Sequence, residues 1–172
     1  MKYIKLFEQY NLIRETVETV DFGPEWDKIT KEIFGETLKI SDKGLTYRPS
    51  SDTGKKPVLY VKWTGRADYD DNGTKKYKML GISTTFNPLN NQENGAISIT
   101  LDGSEKESWK KEIEEKLVPV WKKVSQEYLA KAIKDPKTMK DATVGGGYNY
   151  EEKDAADLEN YVKLIPGLKI EY

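Results

Sequence analysis

Hydrophobic residues recur at helical spacing between residues 104 and 133, and this stretch predicts a long helix packed on a larger surface. Positions three or four residues apart share one side of a helix. Ser104 and Glu107 have the spacing of a capping box at its start, and Asp135–Pro136 marks its end because the residue before proline avoids helical geometry. The apolar side of the predicted helix comprises Trp109, Ile113, Leu117, Val120, Trp121, Val124, Tyr128 and Ala132.

Pro119 interrupts this predicted helix. A proline in a helix interior lacks the N–H donor and clashes with the preceding turn, which costs about 3 kcal/mol. The apolar pattern nevertheless continues on both sides of Pro119. We therefore expect a kink, or two shorter helices that meet at Pro119 and pack on one common surface, which is a sheet.

Residues 37–101 alternate between apolar and polar positions and predict a mostly antiparallel sheet of about five to six strands. The alternation on both sides of Asp42-Lys43-Gly44 predicts a hairpin there, and the Asn-Gly turn within residues 70–73 predicts a second hairpin. Residues 58–63 are mainly β-branched or aromatic, which indicates a central strand. Residues 96–101 predict a further strand.

Both ends of the chain predict helices, and together with the sheet they define the fold class. Residues 1–35 are a predicted N-terminal helical segment, in which Pro24 suits the first turn of a second helix and Gly35 its end. A last helix precedes residues 168–172, which predict a final edge strand. The apolar side of that helix comprises Leu158, Tyr161 and Val162. The sequence thus predicts a single α+β domain over residues 1–172.

Composition limits the chemistry open to this chain. Its 172 residues include no Cys and no His, which excludes thiolate or imidazole zinc sites, thiol nucleophiles and the usual serine–histidine catalysis. Lys and Arg total 28 against 29 Asp and Glu, so no overall basic charge favours general nucleic-acid binding. No apolar run is long enough for a membrane span, and the N-terminus lacks a secretory signal. We therefore expect no enzyme, no cofactor and no membrane partner.

Three segments that a small domain has difficulty covering are predicted protein interfaces: residues 2–20, residues 134–150 and the C-terminal strand at residues 168–172. Residues 2–20 predict an amphipathic helix that docks either on its own domain or on another subunit. Residues 134–150 form a segment longer than most loops in compact domains, which indicates either a functional loop or a segment ordered by a partner. Its three consecutive glycines suit a hinge or a close backbone contact. The candidate interface residues are Leu6, Phe7, Tyr10, Ile13, Val17, Gly145, Gly146 and Gly147.

One acidic stretch has the opening pattern of a calcium-binding loop. Asp68, Asp70 and Asn72 supply oxygen atoms at alternate positions, and a glycine follows for the sharp turn. Met79 occupies the position where such a loop needs its closing carboxylate, and two nearby lysines would repel a cation. A hairpin turn without a metal is therefore the favoured interpretation.

Aromatic and basic residues alternate on the predicted strands and suggest an alternative function. Such a mixture can stack nucleic-acid bases and hold phosphates on an open sheet face. A half-solvated sheet with ordinary cross-strand pairs explains the same pattern and is preferred. The candidate residues for nucleic-acid binding are Tyr60, Trp63, Arg66, Tyr77 and Lys78.

The opening residues Met1–Tyr10, MKYIKLFEQY, resemble the start of many proteins encoded by large tailed bacteriophages, including the crAss-like group. The resemblance implies a phage product, such as a virion component of the head, connector or tail, and it assigns no functional residues. We accordingly expect a non-enzymatic structural or assembly protein that contacts other subunits in a homo- or hetero-oligomer. Its expected location is the virion or the cytoplasm of the infected host. A nucleic-acid or nucleotide binding module and a phage inhibitor of a host defence protein are the alternatives.

Overall fold

A five-stranded sheet organises the structure, a computed structural model that describes residues 22–48, 57–86, 95–102, 106–135 and 152–172. The strands lie side by side in chain order. They are β1 (Lys39–Arg48), β2 (Val58–Asp71), β3 (Thr74–Phe86), β4 (Ala96–Asp102) and β5 (Ile170–Glu171). The first four are antiparallel to their neighbours, and β5 adds to the edge of β4 in the parallel direction. The predicted α+β class and mostly antiparallel sheet are therefore confirmed.

The helices pack on one face of this sheet. They are α1 (Gly23–Phe34), α2 (Lys106–Glu112), a π-helical segment (Ile113–Leu117), α3 (Val118–Lys134) and α4 (Glu152–Leu164), which a 3-10 turn (Ile165–Gly167) follows. We call residues 106–134 the long helix. The Trp121 indole N–H of the long helix donates to Thr84 Oγ1 on β3 at 2.9 Å. The rings of Tyr161 on α4 and Phe86 on β3 stack with their centroids 4.8 Å apart. Thr84 and Phe86 point to the same side of β3, so the long helix and α4 share that face.

The π-helical segment lets the long helix continue past Pro119. The backbone N–H of Val118 bonds to the carbonyl of Ile113, one residue further back than in an α-helix. Pro119 consequently lies in the first turn of α3, where a missing N–H is tolerated. The predicted junction of two helices at Pro119 is thus a π-helical segment between α2 and α3.

The same segment changes which side of α3 is buried. The wider turn adds one residue, so the positions that face the sheet after it are Trp121, Ser125 and Leu129. Of the positions predicted for this half, Trp121 and Ala132 are buried, whereas Val120, Val124 and Tyr128 are only partly buried. The prediction was wrong for these three residues because it assumed uniform α-helical spacing through Pro119. A serine is tolerated on the buried side because its hydroxyl donates to the backbone carbonyl of Trp121 at 2.5 Å.

The predicted hairpin at Asp42-Lys43-Gly44 was wrong, because these residues continue β1. This strand pairs with β2 along its whole length. A β-bulge at Ser41 adds one residue to β1 and moves its core-facing positions from even to odd residue numbers. The change of alternation that the sequence pattern suggested was a turn is therefore a β-bulge within a continuous strand.

The local stop and turn signals were predicted correctly. Gly35 ends α1 in the left-handed region with φ 75°. Asn72 and Gly73 form the tight turn between β2 and β3 with φ of 53° and 82°. The predicted helix over residues 2–20, the cap at Ser104 and most of the 134–150 segment lie outside the described residues.

An aromatic cluster joins α1 and the long helix to the sheet. The centroid of the Phe22 ring lies 4.9 Å from the ring centroid of Trp63 and 5.6 Å from that of Trp121. The indole of Trp26 lies directly against Gly65 on β2, where a Cβ atom would come within 2.5 Å of it. Gly65 therefore provides the space that brings α1 close to the sheet.

Candidate protein interface

The hairpin of β2 and β3 extends beyond the strands that flank it. The pairing of β1 with β2 ends at Arg66, and the pairing of β4 with β3 ends at Met79. Residues 67–71 and 74–78 therefore pair only with each other within the sheet. We call residues 67–78 the arm. Five residues on each strand, at about 3.4 Å per residue, carry the arm roughly 17 Å beyond the ends of β1 and β4.

The tip of the arm is a tight turn formed by local chemistry. Asp71 and Thr74 are directly opposite, so only Asn72 and Gly73 connect the strands. Both residues have positive φ, which matches a type I′ turn and the twist of the hairpin. The Asp70 carboxylate accepts a hydrogen bond from the Gly73 N–H at 2.7 Å and further fixes the turn.

The two strands of the arm carry opposite charges. The acidic residues lie on β2 and are Asp68, Asp70 and Asp71. The basic residues lie on β3 and are Lys75, Lys76 and Lys78. Lys76 pairs with Asp71, and this contact raises the pKa of Lys76 above its ordinary value. The charges compensate each other across the hairpin, so the arm is polar without being strongly basic.

The base of the arm is held by side chains on both faces. On one face, the Arg66 guanidinium lies 4.3 Å from the centre of the Tyr77 ring and pairs with Asp68 at 2.6 Å. A hydrogen bond from the Tyr77 hydroxyl to Asp102 raises the pKa of this tyrosine above its ordinary value. On the other face, Lys78 Nζ lies 2.9 Å from a Glu36 carboxylate oxygen.

The arm is exposed among the described residues. Tyr77 is one of two large apolar side chains that are exposed within the described residues, with 38% of its surface accessible to solvent. A shallow depression of about 280 Å³ beside it is lined mainly by Arg66, Asp68, Tyr69, Lys75 and Lys76. An aromatic ring framed by charged groups is suited to contact a protein surface.

The structure divides the five nucleic-acid candidates between the two faces of the sheet. Opposite residues in a ladder share a face, which places Tyr60, Arg66 and Tyr77 on the face away from the helices. Trp63 and Lys78 point to the helical face, where Trp63 packs on Phe22. The five side chains consequently do not form one stacking surface.

The calcium candidates form the arm instead of a metal-binding loop. Asp68 pairs with Arg66, and Asp70 caps the turn. Asn72 occupies the turn itself. In the described ranges, no group of three acidic residues is arranged to hold a metal ion.

The remaining interface candidates, on residues 2–20 and at the three glycines 145–147, lie outside the described residues. Among the helices of the described ranges, none combines the length and apolar character needed to cross a membrane.

Sequence reasoning predicted the hairpin but missed its projection. Projection depends on where β1 and β4 stop pairing, which is a non-local property of strand register. The available signal was length, because the residues between Val58 and the Asn72–Gly73 turn outnumber those of the predicted strand at 96–101.

Comparison with protein-family models, with curated proteins and with solved structures finds no match to this chain. The function is therefore inferred from the geometry of the described residues.

Proposed function

We propose that this chain is a non-enzymatic assembly protein that works through protein–protein interfaces, with the arm as its principal contact surface. The observation that carries the proposal is the projection of residues 67–78 beyond β1 and β4. A two-stranded ribbon is at best marginally stable when no further strand or helix supports it. Partner burial along the arm would supply that support.

The unpaired outer edges of the arm allow it to bind a partner by strand addition. In an antiparallel ladder, every second residue directs its N–H and C=O away from the paired strand. Residues 67–71 and 74–78 therefore present backbone donors and acceptors on their outer edges. An extended segment of a partner can pair with such an edge as an additional strand.

The resemblance of residues Met1–Tyr10 to tailed-phage proteins suggests where this assembly takes place. On this basis the chain is a component of a phage particle, in the head, connector or tail, and it resides in the virion or in the infected cell before assembly. Nucleic-acid binding has less support, because the pleat separates Trp63 and Lys78 from Tyr60, Arg66 and Tyr77.

The proposal is tested by the native mass of the full chain, purified alone and after co-expression with the products of neighbouring genes. We expect complexes larger than a monomer by size-exclusion chromatography with light scattering. Trypsin should cleave the arm after Lys75 or Lys76 in the free chain, since both residues are exposed, and less readily in the complex. A chain that stays monomeric in every combination, with an arm equally cleaved throughout, would contradict the proposal.

A further inference from the structure

The two outer edges of the arm differ in chemical character. All acidic residues of the arm lie on β2, and all of its basic residues lie on β3. The edge along β2 therefore carries negative charge, and the edge along β3 carries positive charge. The arm is thus a two-sided element with complementary edges.

This division of charge favours one mode of strand pairing over the others. If the β2 edge paired with the same edge of another copy, aspartates would face aspartates. If two β3 edges paired, lysines would face lysines. Like charges opposite one another across a ladder are destabilising, whereas unlike charges are stabilising. The favourable arrangement sets the β2 edge of one arm against the β3 edge of another.

We propose that copies of this chain associate head to tail, with the acidic β2 edge of each arm adding to the basic β3 edge of the next. This inference rests on the proposed assembly function and specifies its partner as a second copy. The two surfaces in such a contact are different, so the interface is heterologous. Repeating it produces a closed ring or an open filament, in contrast to the closed two-fold dimer of a self-complementary patch.

The charges available for this contact are accessible to solvent. The side chains of the Lys76–Asp71 pair are 49% and 42% exposed. Exposed ion pairs weaken as salt screens them, and the screening length falls to about 3 Å at about 1 M salt. Assembly should therefore weaken as the salt concentration rises.

A variant with the charges of the arm reversed tests directly whether the β2 edge of one copy pairs with the β3 edge of another. The variant combines Asp70→Lys, Asp71→Lys, Lys75→Asp and Lys76→Asp. It keeps unlike charges at the opposite positions 70 and 75 and in the pair between 71 and 76. Asp68 and Lys78 are left unchanged because they are bonded to Arg66 and Glu36 at the base of the arm.

The variant and the wild-type chain should each assemble alone but should not co-assemble when they are mixed. Their unlike edges match within each protein, whereas a mixed contact sets like charges against like. The measurement uses two fluorescent labels and size-exclusion chromatography of the mixed full-length chains. The expected result is a loss of doubly labelled complexes.

Several outcomes would overturn the inference. Free mixing would show that the contact does not depend on the edge charges. Preferential mixed association would indicate pairing of like edges. A wild-type chain that is monomeric alone but binds other gene products would also overturn it, while the proposed assembly function would stand. If the variant with four substitutions does not fold, Asp71→Lys with Lys76→Asp alone keeps Asp70 bonded to Gly73 and reverses one charge on each edge. It should weaken co-assembly with the wild-type chain, and unchanged co-assembly would overturn the inference.

Discussion

Replacing Gly65 with alanine should strongly destabilise the fold, because no space exists for a methyl group there. An added Cβ would lie 2.5 Å from Cζ2 of Trp26 and 3.0 Å from the backbone oxygen of Leu38. Trp26 is fully buried, and its indole N–H donates to that same oxygen at 2.7 Å. The ring therefore cannot retreat without losing its hydrogen bond.

The size of the effect follows from these contacts. Overpacking a close-packed core costs about 1–3 kcal/mol, and the fixed indole places Gly65→Ala near the upper end. For a chain of this length, each kcal/mol lowers the melting temperature by about 2–4 °C. We therefore expect a loss of about 3 kcal/mol and a melting temperature lower by about 6–12 °C.

Gly81→Ala is the matched control. Gly81 also lies inside the sheet, but a Cβ there would meet Thr100 and Thr64 at 3.6 Å, which is ordinary contact. Alanine at this position should be neutral or should stabilise by about 0.5–1 kcal/mol, because it lowers the entropy of the unfolded chain.

The free energies of unfolding are measured by urea titration followed by tryptophan fluorescence. In a Trp26→Phe background the cost of Gly65→Ala should shrink, because phenylalanine lacks the ring atoms that clash. Equal effects at Gly65 and Gly81, or an undiminished cost in that background, would refute the reasoning.

Two further predictions concern buried hydroxyl groups. Among the described residues, the Tyr161 hydroxyl is buried without a hydrogen-bond partner, so Tyr161→Phe should stabilise the fold by about 1 kcal/mol while keeping the ring stacked on Phe86. Burial raises the pKa of Tyr161 above its ordinary value of about 10, so the wild-type chain should lose stability as the pH rises above about 10, and the variant should lose less. Tyr47 donates to Asp154 at 2.5 Å and both are fully buried, so Tyr47→Phe should cost about 2–3 kcal/mol. Asp154→Asn, which keeps an acceptor, should cost less. Urea titrations check each value, and a destabilised Tyr161→Phe or a neutral Tyr47→Phe would contradict these contacts.

The features predicted correctly from sequence are those with a local physical cause. Gly35 ends α1 because glycine adopts a positive φ without strain, and Asn72–Gly73 turns the chain for the same reason. The periodicities of two and 3.6 residues identified the sheet, the long helix and α4. Each of these signals depends on residues within a few positions of one another.

The errors arose where structure departs from regular spacing or depends on distant residues. The bulge at Ser41 and the π-helical segment at Ile113–Leu117 each insert one residue into an otherwise regular pattern. The sequence pattern shows that the periodicity shifts, but a turn, a β-bulge and a π-helical turn all produce the same shift. The arm, in turn, exists because β1 and β4 stop short of it, and strand register is decided across the whole sheet.

The central claim, that the arm is the assembly surface, is tested most directly by shortening it. Deleting residues 68–71 and 74–77 leaves Ala67 and Lys78, which are already opposite, to flank Asn72–Gly73. Because an even number of residues is removed from each strand, every remaining side chain stays on the same face of the sheet, and the two-residue turn is kept.

The native mass of this shortened chain is compared with that of the wild-type chain by light scattering at matched concentrations, with circular dichroism confirming that both are folded. The account predicts a folded chain that no longer forms complexes. A folded, shortened chain that assembles as the wild-type chain does would contradict it.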